Sequence, residues 1–216
     1  MNISADTREE LEQAIEAHEA DGWHVVKSER HTDGSYTATL AREEKRKGDW
    51  ITTFTGKQFY PLDPRADDIC IEDIARSLAM KCRYGGHVME FYSVAEHCYF
   101  LSHVVAPQNA LWALMHDASE AYLGDIQRPL KPMLVGYRAM ESNVSRVIAE
   151  KFGLVGIIPD EVIRFDDQII ADEARAICKD HSWTQGIEQM GVEIDCWPWD
   201  VAEKMFLTRF KELTHK

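Results

Sequence analysis

The chain has 216 residues, of which 45% are hydrophobic and 28% charged, and a formal net charge of −13. That length suits one sizeable domain with a small appendage, and the composition is that of a globular protein. The acidic balance lacks the basic footprint of a nucleic-acid binder, and no apolar run approaches the roughly 20 residues of a bilayer span.

The opening "MNISADTREELEQ" has no basic n-region and no apolar h-region, so no secretory leader is expected. Residues 1–48 read as a separate unit. Leu11, Ala14 and Ile15 recur with a helical period, Thr7 and Glu10 fit a capping box, and Gly22 is the predicted C-cap. "WHVVKSERH" and "SYTATLAR" alternate as strands around the hairpin turn "TDGS". The charge run "REEKRKGD" reads as a solvated connector or helix end.

From Trp50 the character changes. A turn-rich segment, "WITTFTGKQFYPLDPRADD", leads into helical patterns at about 68–81, 94–105, 109–122, 137–152, 160–182 and 198–213. Short connections imply packed helices. Two loops stand apart: "KCRYGGHVMEFYSV", polar and aromatic, and "GDIQRPLKPML", broken by two prolines. Near the end, Asp200 fits a helix cap, and Trp197 and Trp199 read as an aromatic lid. The expected fold class is mainly α: a helical bundle over 49–216 with a small amino-terminal α+β appendage over 1–48.

Five cysteines (Cys70, Cys82, Cys98, Cys178 and Cys196) include no CxxC pair. This argues for reduced thiols in a cytoplasmic protein and against a zinc–thiolate site. Cys82 and Cys98 read as core residues.

The chemistry concentrates in "ALWALMHDASEAYLGDIQRP". On one continuous helix, His116 and Asp117 would lie on the same face as Glu120. Buried charge is costly unless it is paired or bound to metal. His97 interrupts the apolar "SVAEHCYFLSHVV", and Asp166 and Asp167 interrupt "EVIRFDDQIIADEARAI". Three helices presenting His or Asp from apolar backgrounds can hold one divalent ion and leave positions for water and substrate. His103 is off the His97 face and reads as packing or surface. His87 fits either a site or a loop role. His18, His24, His31, His181 and His215 read as solvated.

The order H…HD…D, carried by "YSVAEH", "LMHDASEAYLGDIQRPLK" and "RFDDQIIADE", resembles the HD-domain metal-dependent phosphohydrolases. It is most similar to the branch of bacterial 5′-deoxynucleotidases and phage deoxyadenosine triphosphate triphosphohydrolases. The resemblance covers about residues 50–213 and leaves 1–48 outside it. It implies an HD-domain bundle holding one divalent metal ion (Zn, Co, Mn, Fe, Ni or Mg) on His97, His116, Asp117 and Asp166. Asp166 is preferred to Asp167 because the family sets its last aspartate about seven residues before a helix glutamate, here Glu173.

The same resemblance implies that Glu120 handles the attacking water or leaving group, with Asp125 as a second acid. Arg83 matches an arginine that touches the substrate phosphate, and Tyr84 an aromatic near the sugar or base. His87, Arg128 and Lys131 complete the expected substrate-binding set. The implied activity is hydrolysis of a deoxynucleotide, as monophosphate or triphosphate, by metal-activated water. The alternatives are an alarmone or cyclic-dinucleotide hydrolase and a non-catalytic nucleotide sensor. The expected partner is a small-molecule nucleotide, with no nucleic-acid polymer and no membrane, and the resemblance is compatible with a homo-oligomer.

Overall fold

The computed structural model describes residues 1–42 and 45–215; Glu43 and Glu44 of the charge run, and Lys216, lie outside the described residues. The chain divides into two compact units, Met1–Arg46 and Lys47–Lys216.

The first unit contains strand β1 (Asn2–Ala5), helix α1 (Arg8–Glu19), and strands β2 (Trp23–Arg30) and β3 (Tyr36–Arg42). Thr7 Oγ1 accepts the Glu10 N–H and Glu10 Oε2 accepts the Thr7 N–H, which completes the capping box. The C-cap is Ala20 rather than Gly22. Gly22 instead takes a φ of 81° and turns the chain into β2. The sheet is antiparallel with order β1–β3–β2. β1 is an addition to the expected helix and hairpin, because its four residues are too few to show a period of two. It places β3 centrally, where Ala38 and Leu40 pack with Leu11 of α1.

The second unit starts with a small ribbon, β4 (Ile51–Thr52) and β5 (Gln58–Phe59). Helices α2 (Ile71–Ala79), α3 (Val94–Val104), α4 (Ala110–Met115), α5 (Glu120–Leu123), α6 (Tyr137–Phe152), α7 (Asp160–Ile177) and α8 (Trp199–Thr214) follow. Leu78, Val94, Leu114, Ile148 and Phe206 bring α2, α3, α4, α6 and α8 into one core with Phe59. Leu101, Ala113, Val162 and Ile169 join α3, α4 and α7 in a second cluster. The molecule is therefore mainly α with a small antiparallel sheet, as the patterning implies. Among the described residues, no helix is long and apolar enough to cross a membrane.

The expected helix over 109–122 is broken. α4 stops at Met115 and α5 starts at Glu120. His116 Nδ1 bonds the Ala113 carbonyl at 2.8 Å, the acceptor that the Asp117 N–H would use in a continuous helix. Tighter bonds carry the chain through the break, with Ala118 N–H to Met115 O at 3.0 Å and Glu120 N–H to Asp117 O at 2.9 Å. The face shared by His116 and Glu120 therefore does not exist as a helical face.

α7 ends at Ile177 rather than near 182, where the Met89 N–H takes the Ile177 carbonyl at 2.7 Å. Its buried side includes Val162, Ile169, Glu173 and Ile177, a stripe at helical spacing that also contains position 166. At α8, Asp200 lies inside the first turn and makes no capping bond; Pro198 holds the cap position. Trp197 packs on Tyr99 and Phe100, each ring centroid 5.1 Å away.

Candidate metal centre and the cleft above it

His97, on α3, is fully buried. Its Nδ1 lies 2.6 Å from Glu173 Oε1. A carboxylate only accepts, so Nδ1 carries a proton and Nε2 is the ring atom turned to the cluster. His116 Nδ1 faces the Ala113 carbonyl, so it too donates and turns Nε2 to the cluster. The two Nε2 atoms face each other at 3.3 Å. Each Nε2 also faces a carboxylate, so positive charge is needed at this point, either a proton on the imidazoles or one cation shared by both nitrogens. Two nitrogens about 2.0–2.1 Å from one ion, at a near-tetrahedral angle, lie about 3.3–3.4 Å apart.

Carboxylates close the cluster. Asp166 Oδ1 is 3.1 Å from His97 Nε2 and 3.8 Å from His116 Nε2. Asp117 Oδ2 is 3.2 Å from His116 Nε2 and 3.8 Å from His97 Nε2. Burial alone would raise both acids, yet positive charge at the imidazoles brings them below the usual carboxylate range. His97, His116 and Asp166 form one group able to hold a metal ion, and Cys98, His116 and Asp117 form another. Cys98 approaches the His116 Nδ1 side, with Sγ 3.9 Å away, and burial pushes its thiol up to about 11. It backs the imidazole as a small apolar group. Asp167 points elsewhere, to Arg128 Nη1 at 2.6 Å.

Glu173 organises the layer behind. It is fully buried and accepts from four side chains. These are His97 Nδ1 at 2.6 Å, Tyr92 OH at 3.0 Å, Arg83 Nη2 at 3.0 Å and Tyr84 OH at 2.5 Å. Burial works to raise its carboxyl, but Arg83 and His97 hold it down at about 2. Sequence reasoning used Glu173 only to fix register. The α7 stripe of Val162, Ile169 and Ile177 was the available signal that positions 166 and 173 share one side.

Above the cluster opens a cleft of about 730 Å³. Arg83, Tyr84, His87, Asp117, Glu120, Asp125, Arg128, Lys131 and Asp166 all line it, so every expected site residue except the deeper His97 and His116 reaches its wall. His103 does not; it stacks near Tyr99 at 4.6 Å. His18 is half-buried and its Nδ1 bonds the Ala14 carbonyl, so it is not simply solvated.

Glu120 is buried, and desolvation, with Asp117 and Asp125 nearby, pushes its carboxyl up to about 9 against the pull of Lys131 and Arg83. Lys131 Nζ is 3.5 Å from Glu120 and 2.8 Å from Glu141. Asp125 is also raised, by burial. Among the cleft residues that escaped the sequence reading are Lys179 and Trp183, which follow α7.

No family model matches the chain. It is 46% identical over 126 residues to a protein of Escherichia coli (strain K12), across 58% of this chain and 71% of that protein, and so belongs to the same family. That relative is the uncharacterized protein YfdR. The chain is also 34% identical over 125 residues to the uncharacterized protein RCAP_rcc00048 of Rhodobacter capsulatus, across 53% of this chain and 64% of that protein.

Proposed function

We propose that this protein is a divalent-metal-dependent nucleotide phosphohydrolase with an HD-domain bundle, acting on a nucleoside 5′-monophosphate. One observation carries the reading: His97, His116, Asp117 and Asp166 converge beneath a cleft that also contains Arg83, Glu120 and Lys131. Two imidazoles and two carboxylates suit a borderline or hard divalent ion. Bound there, the ion supplies hydroxide near neutral pH by lowering the pKa of coordinated water.

The chain's own residues do the rest. Glu173 fixes the His97 tautomer and holds Arg83 by Nη2. Arg83 Nη1, 3.8 Å from Asp117, stands beside the cluster to balance phosphate charge. Glu120, buried in the cleft wall between Asp117 and Lys131, is the carboxyl placed to handle the attacking water or the leaving 5′-oxygen.

Charge accounting favours a monophosphate. Arg128 is already paired with Asp167 and Lys131 with Glu141, so beyond Arg83 the cleft offers Lys179, one further cation for two further phosphates. The preference for a deoxy sugar rests on the sequence resemblance alone.

The test is a screen of nucleoside mono- and triphosphates, with and without the deoxy sugar, against several divalent ions. Orthophosphate from a monophosphate is expected. Tripolyphosphate from a triphosphate would replace this substrate class. Tight nucleotide binding without turnover under every metal would replace the enzyme by a sensor.

A further inference from the structure

We infer that Trp183 is the stacking face for the nucleobase of the substrate, an inference that rests on the nucleotide reading above. Trp183 is 51% exposed. Among the described residues it is the exposed large hydrophobic side chain that also lines the cleft. A large aromatic face left open in a cleft that charged side chains also line is the usual form of a stacking platform.

Its ring is held in place. Indole Nε1–H donates to the Asp180 carbonyl at 3.1 Å. The loop is braced on either side, by the Ser182 N–H on Asp180 Oδ1 at 2.9 Å and by buried Thr184, whose Oγ1–H donates to the His181 carbonyl at 2.9 Å. A platform ordered beforehand loses little entropy when a ligand arrives.

Its position matches the build of a nucleotide. The Tyr84 ring neighbours both the phosphate end and Trp183: its centroid is 5.4 Å from the Arg83 guanidinium carbon and 6.0 Å from the Trp183 ring, at 60° between planes. Tyr84 holds a φ of 56°, a conformation that costs a non-glycine residue energy. The Glu173 bond and the Gln127 Nε2–H to Tyr84 carbonyl bond at 3.3 Å keep it there. Cation, ring and exposed indole thus follow one another as phosphate, sugar and base do.

The experiment is calorimetry on the intact, metal-loaded protein with two hydrolysis-resistant phosphonates. One is the analogue of 2′-deoxyadenosine 5′-monophosphate; the other is the analogue of 2-deoxyribose 5-phosphate, which lacks a base. The wild type is expected to prefer the first. Trp183→Ala should reduce that preference about tenfold or more, and Trp183→Phe should restore most of it. Quenching of indole fluorescence by the nucleoside analogue should be present in the wild type and lost in Trp183→Phe.

An unchanged preference in Trp183→Ala, or quenching that persists in Trp183→Phe, overturns the inference. A wild type that binds both phosphonates equally overturns it too, while the phosphohydrolase reading stands. A wild type that takes up the metal but neither phosphonate removes the nucleotide reading and this inference together.

Discussion

Among the described residues of the amino-terminal unit the buried side chains are Leu11, Ala38 and Leu40, all apolar; in the helical unit Asp73, Glu96, His97, Glu120, Asp172 and Glu173 are buried as well. The amino-terminal ion pairs Arg8–Glu12 and Lys27–Glu29 stay at the surface, where charge costs little. The acids in and beside the core of the helical unit fall into two kinds. Asp73 receives the Thr55 N–H and Oγ1–H, Glu96 the Trp197 N–H, and Asp172 the N–H groups of Met190 and Gly191. Those three acids tie down loops. Asp117, Glu120, Asp166 and Glu173 instead crowd around two imidazoles and one cleft, an arrangement that stability alone does not require.

The contrast can be broken most forcefully at the imidazoles. His116→Ala should lower kcat/KM by about a thousandfold or more, since a metal ion supplies several kcal/mol of charge stabilisation and each 1.36 kcal/mol is a factor of ten. A loss below tenfold in steady-state assays would remove the cluster from the chemistry.

Next comes Glu173→Gln, which keeps the shape but cannot accept from all four donors. It should weaken metal binding or activity by about 10–100-fold, the usual effect of losing a ligand's outer partner. It should also change acid stability. With its carboxyl held down at about 2, Glu173 contributes stability that is complete above pH 4.5 and lost as pH falls towards 2. The variant should therefore lose part of the slope of stability over that window in a pH series of denaturant melts.

Glu120 should show the opposite sign. Its carboxyl, raised to about 9, disfavours the folded state progressively as pH rises above 4.5. In chelator-treated protein at pH 8, Glu120→Gln should gain on the order of 1 kcal/mol while losing turnover. A variant that is both less stable and fully active would reverse the assignment. The smallest effect belongs to the amino-terminal unit, where Arg8→Ala breaks an exposed ion pair and should leave the thermal midpoint unmoved.

Much of this architecture is legible in the sequence. The capping box of α1, the hairpin and the bounds of α6 follow from local pattern, because each depends on neighbouring residues. What escapes depends on distant ones. β1 is specified by pairing with residues 36–39 and carries no signal of its own. The break between α4 and α5 comes from the side chain of His116 turning back on Ala113, against a run whose propensity is helical.

At the site, residue types and order point to His97, His116 and Asp117, while the choice between Asp166 and Asp167 needs the α7 stripe. Glu173 and Trp183 are visible only once α3, α7 and the loops are folded together. One gathers donors from three other segments, and the other is a lone aromatic beyond the end of α7.

The most direct test of the account is calorimetric titration of chelator-stripped protein with a divalent ion, comparing the wild type with Asp166→Asn and Asp167→Asn. The account predicts one ion per chain in the wild type and in Asp167→Asn, and severely weakened binding in Asp166→Asn. No uptake by the wild type, or uptake lost in Asp167→Asn and kept in Asp166→Asn, would contradict it.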